Sequence, residues 1–328
     1  MSVRTSRPLP PKAAMVRWES GANTEKFSVQ EILAGDSAGF MLVEDDFAIL
    51  ESALKYNYVT ARQMSLLLTG DSASRDVQRR LTMLLDHGLL SRAWSAYRTT
   101  PMPVTLEGGE LGTRQKNVKE YIFALSQKGF DLLAAVDHHL AAEWEGRWQS
   151  RALVPSRKNS LAHELGRNDV CLAMIRATKA LGRPIVDWRG HREAYHRFVP
   201  SAPGSSALLS EPDSILLLDN GRPLFIEYER SGRIARFHKK MMDTRNYMVA
   251  GGWKQRFGLQ PWVVYAVPEG TGTQERESGS YGGLLRQAVM GSAMRYLLLD
   301  QASWESGTWD AVKADGTMTS LWKIVLGD

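Results

Sequence analysis

EPDSILLLDNGRPLFIEYER, residues Glu211 to Arg230, decides how the second half of this chain folds. Two apolar runs flank Asn220-Gly221. A two-residue Asn-Gly loop between apolar runs is the strongest short-range signal for a β-hairpin, because both loop positions accept positive φ. Folding the runs together brings Asp213, which opens the first, towards Glu227 and Glu229, which end the second. Acids gathered at one end of a sheet, with Arg and Lys nearby in sequence, suit a hard divalent cation such as Mg²⁺. Phosphodiester hydrolysis calls for such a set: a held cation offsets charge on the phosphate oxygens and acidifies bound water. Glu227 sits inside LFIEYE, and a carboxylate buried in an apolar strand is costly unless paired, which favours a functional role for it.

Outward from this hairpin, length and composition set the frame. A chain of 328 residues favours two domains. Its 43% apolar content is enough for real cores. The single cysteine, Cys171, excludes an internal disulfide framework and a Cys-based zinc site, and fits a reducing cytoplasm. No apolar run reaches membrane-spanning length. The opening MSVRTSRPLPPKAAMVR is basic without an apolar centre, so residues 1–40 read as a flexible arm rather than a secretory signal, with at most a short helix near 28–34.

The net charge of +5 is unevenly spread. Residues 1–150 hold 17 basic and 18 acidic side chains, and residues 151–328 hold 24 and 18. Within the first half, residues 72–119 carry 8 basic against 4 acidic. Local positive patches are the footprint of a polyanion partner, of which double-stranded DNA is one.

Residues 41–140 show how such a patch would be presented. DDFAILESALKYNY carries Phe47, Ile49, Leu50 and Leu54 on one helical side. Thr60 caps a short second helix ending at Thr69-Gly70, and Ser72 is placed to cap a third with Val77, Leu81, Leu84 and Leu85 as its core face. Two extended runs follow, LLSRAWSAY and KEYIFAL, separated by a polar loop of about 20 residues, and then a helix over QKGFDLLAAV. Three helices and a β-hairpin make a winged helix-turn-helix, and RRLTMLLDHGLLSR resembles the junction of recognition helix and wing in bacterial proteins of that type. The outward residues of the third helix are Ser74, Arg75, Gln78 and Arg79; Arg and Gln match guanine and adenine edges in the major groove. The wing places Arg98, Arg114, Lys116 and Lys119 near phosphates, and Trp94 where it could stack on a base. A winged helix used for protein contacts is the alternative, and the basic excess argues against it.

Residues 141–157 read as a linker helix with a boundary at Pro155, and 158–328 as the second domain. There a helix with Leu161, Leu165, Cys171, Leu172 and Ile175 on its apolar face precedes the strand PIVDWR, the acidic hairpin, a helix from about Gly232 to Val249, and the strand WVVYAV. A loop over EGTGTQERESGSYGG, a helix near 282–292, a strand near 295–299 and the run SLWKIVL complete it. This order gives a three-layer α/β core with a mixed sheet, in a chain that is α+β overall.

The same order resembles the PD-(D/E)xK nuclease superfamily. The match is Pro212-Asp213, thirteen residues, then Glu227-Tyr228-Glu229, with Glu164 on the preceding helix. The resemblance implies Mg²⁺ or Mn²⁺ at Asp213, Glu227 and Glu229, and a Lys that positions water. Glu229 occupies the usual Lys position, so the resemblance turns to Lys239 and Lys240 of the following helix; Lys240 lies nearer the apolar face of Ile234, Phe237 and Met241. Arg230, Arg233 and Arg236 would take flanking phosphates. Read across both domains, His163, Leu165, Asn168, Asp169, Pro212, Asp213, Glu227, Glu229 and Arg230 resemble the replication-relaxation family of plasmids and mobile elements. That resemblance covers about 45–300 and implies a bacterial, cytoplasmic DNA-binding protein acting in replication and DNA relaxation. It allows a homodimer, or replication and conjugation proteins of the element, as partners. Two activities fit: a metal-dependent endonuclease or nickase, and a non-catalytic accessory factor or regulator on a degenerate nuclease fold.

Overall fold

Side-chain caps at the helix starts shape the first of two compact units, which divide between Leu165 and Gly166. The computed structural model describes residues 41–105, 111–137, 158–200, 207–229, 234–267, 295–313 and 315–327; of 93–105, 111–120, 158–162, 191–192 and 234 it describes the backbone alone. The expected arm, the linker helix, the EGTGTQERESGSYGG loop and the helix near 282–292 lie outside these residues.

In the first unit α1 (Glu44–Tyr56) turns Ile49, Leu50, Ala53 and Leu54 inward, with Phe47 half-buried. α2 (Ala61–Thr69) starts at Thr60, whose hydroxyl oxygen accepts from the Gln63 N–H at 3.1 Å, while the Gln63 side-chain oxygen accepts from the Thr60 N–H at 3.1 Å. This reciprocal box satisfies two helix-end donors at once. α3 (Arg75–Asp86) is capped by Ser74 rather than Ser72, its hydroxyl accepting from the Val77 N–H at 3.4 Å. The reason is local: the Asp71 carboxylate takes the Ala73 N–H at 3.1 Å, so the residues after Gly70 form a turn before the helix can begin. Val77, Leu81 and Leu84 are buried and Leu85 half-buried.

β1 (Val59–Thr60), β2 (Leu90–Thr105) and β3 (Leu111–Leu125) form an antiparallel sheet in the order β1-β3-β2. β2 and β3 stay paired from Leu90↔Leu125 to Thr105↔Leu111, with a bulge between Trp94 and Ala96. The expected long polar loop is therefore mostly strand. Pro101 and Pro103 both stand in β2, the edge strand, where a missing N–H costs no ladder bond to a further neighbour. α4 (Gln127–Val136), capped by Ser126, follows. Three helices with a long hairpin are the winged-helix arrangement.

α5 (Lys158–Ala180) contains the division between the units. The second unit continues with β4 (Ile185–Gly190), α6 (His191–Ala194), β5 (His196–Phe198), β6 (Leu208–Ser210), β7 (Ser214–Leu218) and β8 (Pro223–Tyr228). Then come α7 (Ile234–Val249), α8 (Gly252–Phe257), β9 (Trp262–Val267) and β10 (Tyr296–Asp300). α9 (Gln301–Ser306), β11 (Asp310–Lys313), β12 (Met318–Ser320) and α10 (Leu321–Val325) close it. Seven strands form one sheet in the order β12-β11-β10-β9-β8-β7-β4, with β8, β9 and β10 mutually parallel and the other pairings antiparallel. The unit is a mixed α/β structure in the helix–strand–hairpin–helix–strand order read from the sequence. β5 and β6 make a separate two-stranded piece, too short to announce itself in the residue pattern.

Alternation along the strands sets two faces. One face, with Ile215, Phe225, Val263, Tyr265 and Leu298, packs on Phe237, Met241, Tyr247 and Met248 of α7. On the other, Ser214 accepts from the Trp188 indole N–H at 3.3 Å and meets buried Cys171 of α5. Gly166 of α5 lies so close to the Tyr228 ring that an added Cβ would stand 2.4 Å from it.

Candidate functional site

The hairpin turn fixes what faces what. The Leu218 N–H donates to the Arg222 carbonyl at 3.0 Å, and the Gly221 N–H to the Leu218 carbonyl at 2.9 Å. Gly221 stands at φ +78°, and the Asn220 side-chain oxygen accepts from the Arg222 N–H at 3.0 Å. The loop is thus three residues, Asp219 to Gly221, in place of the expected two. A third loop residue in the left-handed region is the usual way a type I turn fits a twisted hairpin. The ladder pairs Leu217 with Pro223 and Ser214 with Ile226, so the next step outward sets Asp213 opposite Glu227.

Both acids lie on the face that α7 covers. Glu227 is 2% exposed and Asp213 6%. The Tyr228 N–H donates to Asp213 Oδ2 at 2.8 Å, and the Asp213 N–H to Glu227 Oε2 at 3.4 Å. Backbone N–H groups of β8 and of Asp213 therefore hold the two carboxylates in place. α7 then supplies the cation. Phe237, Met241, Thr244 and Tyr247 form its buried stripe, and Lys240 stands at the stripe's margin, one residue before Met241. Its ammonium lies 3.0 Å from Asp213 Oδ2 and forms an ion pair with Glu227 Oε2. Lys239 is exposed. The Lys240 side chain stays 31% exposed.

The energetics follow from burial. Burial pushes the Glu227 carboxyl up to about 8; Asp213 adds to the rise and Lys240 opposes it. Burial works to lower the Lys240 ammonium, but Asp213 and Glu227 outweigh it and hold it above the ordinary lysine range. One cation between two buried acids meets the rule that buried charge must be paired.

Sequence reasoning missed several neighbours. Arg167 of α5 is only 1% exposed; it donates to the Asp213 carbonyl at 3.4 Å and to the Asn168 side-chain oxygen at 2.8 and 3.2 Å. It lies three and four residues before buried Val170 and Cys171, so helical spacing placed it on the inner face, although an arginine there reads as surface. Tyr265 pairs with Glu227 along the sheet, and Tyr296 packs edge-on against it at 5.8 Å. Burial, then the nearby Glu227, raises the Tyr296 hydroxyl, and among the described residues that hydroxyl has no hydrogen-bond partner.

The other expected residues are dispersed. Glu229 is half-buried just past β8, its N–H donating to the Ala266 carbonyl at 2.9 Å. Glu164 and His163 are half-buried and belong to the first unit. Arg75, Gln78 and Arg79 are exposed along α3, and Ser74 caps it. Arg98, Arg114, Lys116 and Lys119 stand on the wing strands, paired with Val118, Met102, Thr100 and Tyr97; their side chains, and Trp94's, lie outside the description. Arg236 is exposed, and Arg230 and Arg233 lie outside the described residues. Among the described residues no three His, Cys, Asp or Glu side chains gather closely enough to hold a metal ion. No helix among them is long and apolar enough to cross a membrane.

A family model described as replication-relaxation matches residues 50–263. The chain belongs to the replication-relaxation family. The matched span runs from within α1 to the first residues of β9, and so includes Asp213, Glu227 and Lys240. No curated protein and no solved structure matches the chain.

Proposed function

We propose that this member of the replication-relaxation family is a DNA-binding protein of a plasmid or mobile element, whose second unit carries a divalent-metal phosphodiester site. Membership points to replication of such an element. The observation that carries the reading is the single ammonium reaching both Asp213 and Glu227. Two strand-held carboxylates that one small cation can bridge fit a divalent ion, since Mg²⁺ takes one or two carboxylates and completes its shell with water and substrate phosphate. Asp213 and Glu227 would hold Mg²⁺ or Mn²⁺, which would offset charge on the phosphate and acidify a bound water.

The protein's own residues supply the rest. Asp213 is fixed by the Tyr228 N–H and by Arg167 at its carbonyl, so its carboxylate keeps one orientation as substrate arrives. Lys240, partly exposed on a flexible stem, is placed to give its ammonium to a phosphate oxygen. Exposed Arg75, Gln78 and Arg79 are of the types that read base edges in the major groove.

The test is incubation of the protein with supercoiled plasmid in Mg²⁺ or Mn²⁺, beside Asp213→Ala and Glu227→Ala. Conversion to open-circle or linear DNA by wild type alone is the expected result. In parallel, Arg75→Ala with Arg79→Ala should weaken a salt-sensitive gel shift and lower its salt slope by about 2. A second reading, a non-catalytic DNA-binding factor on a retired nuclease fold, is favoured by one observation. Lys240 already satisfies both acids, with no third ligand-type side chain gathered beside them among the described residues. Intact plasmid together with a retained gel shift would select it.

A further inference from the structure

The cation already present between the acids has a consequence for how the site is filled. Asp213 and Glu227 are nearly inaccessible and are held by backbone N–H groups of β8 and of Asp213 itself. Lys240 is the opposite: about a third exposed and carried on four methylenes. Of the three groups, the lysine is the one free to move.

We propose that Lys240 is a tethered cation that keeps the Asp213–Glu227 pair closed to divalent metal until a DNA phosphate draws its ammonium away. The inference rests on the metal-site reading above. The ammonium contacts Asp213 Oδ2 and Glu227 Oε2, one oxygen of each carboxylate that would hold the metal. A divalent ion and an ammonium at one pair of carboxylates, themselves nearly closed to solvent, would be like charges a few ångströms apart with weak screening between them. They exclude one another.

Protein ligands alone do little to favour the metal in that exchange. Among the described residues no third ligand-type side chain joins the pair, so an incoming ion would give up water for two carboxylates and also break an ion pair. A phosphate oxygen removes the deficit twice over. It is a further ligand of the kind Mg²⁺ takes from nucleic-acid substrates, and it is a new partner for the displaced ammonium. DNA and metal therefore bind cooperatively through Lys240, and by linkage each raises the affinity for the other by the same factor. In the absence of DNA the pair stays neutralised by its own lysine.

The experiment is Mn²⁺ binding to the full chain, followed by calorimetry and by the electron paramagnetic resonance signal of free Mn²⁺. Wild type, Lys240→Met, Lys240→Gln and Lys240→Arg are compared without DNA. Lys240→Met and Lys240→Gln should bind Mn²⁺ about tenfold or more tightly than wild type, and Lys240→Arg should not. Wild type should gain a similar factor when a short duplex is added, with Asp213→Asn plus duplex as the control for Mn²⁺ on DNA itself. The Met and Gln variants should gain little. Equal DNA-free affinity in wild type and both variants, with binding abolished by Asp213→Asn, would overturn the proposal while leaving the metal site standing. No Mn²⁺ binding by any form, with or without duplex, would overturn the metal reading and this inference with it. The duplex dependence of wild type needs no variant, so poor folding of one substitution cannot mask the answer.

Discussion

Replacing Glu227 by Gln asks how strongly the fold resists a charge at that position. The residue is 2% exposed, and burial first, then Asp213, moves its carboxyl from 4.5 to about 8 against the pull of Lys240. A group that holds its proton more tightly in the folded chain stabilises the fold below its unfolded value. That contribution disappears as pH rises through the folded value. The window is therefore pH 4.5 to about 8. At 1.36 kcal/mol per unit, the whole displacement is on the order of 5 kcal/mol. Relaxation of the site and an effective dielectric nearer 20 than 4 reduce the measurable part to about 2–3 kcal/mol. Gln keeps the shape and cannot ionise. Wild type and Glu227→Gln should match at pH 5, and wild type should fall behind by about 2–3 kcal/mol at pH 8. Two other groups leave this difference unchanged. Lys240 is held above the ordinary lysine range and stays charged throughout, and His196, lowered by burial and by Arg256, titrates alike in both proteins. Urea unfolding of both proteins in EDTA, at half-unit steps from pH 5 to 8.5, reads the difference directly. Parallel stability curves across that range would refute the reasoning.

Two further outcomes concern stability. Asp46 is fully buried in the first unit and is taken by Arg80, so Arg80→Met leaves an uncompensated charge and should cost about 3 kcal/mol or more; adding Asp46→Asn should recover a good part of it, and a loss below about 1 kcal/mol in urea unfolding would contradict the pairing. Gly252→Ala would set a Cβ 2.4 Å from the Tyr247 ring and 3.0 Å from Phe198, two side chains of the second unit's core, and should cost about 1–3 kcal/mol in the same measurement.

Much of this architecture was legible because its signals are local. Thr60 announces the start of α2, and the stripe Val77, Leu81, Leu84 announces the buried face of α3. The winged-helix order and the mixed α/β order follow from such pieces. What the pattern hid depends on distant partners. β2 runs through Pro101 and Pro103 because β3 pairs with it on one side only, and edge position cannot be read from the strand itself. β5, β6, β11 and β12 are three or four residues each, too short for a period to show. Arg167 was hidden for another reason: residue type argued for the surface while helical spacing placed it inside, beside Asp213, and only a contact from another element could decide between them.

The carboxylate pair depends on a feature smaller than any of these. A two-residue loop at Asn220-Gly221 would pair Asp219 with Arg222 and carry the register out to Asp213 opposite Tyr228. Glu227 would then be one residue out of step, and in a strand one residue is the other face of the sheet. The acids would be neighbours in sequence logic and strangers in space. The extra loop residue shifts the pairing to Ser214↔Ile226, and with it Asp213 to Glu227. Asp219 is what the loop gains, and it is held outside the ladder by Arg183, whose guanidinium donates to both carboxylate oxygens at 2.9 to 3.0 Å. Gly221 at φ +78° then closes the turn at no steric cost. The cluster is therefore specified at both ends of one hairpin: the acids and the α7 lysine compose it, and three loop residues about 17 Å away, at the usual rise of a five-residue strand, decide that the acids meet.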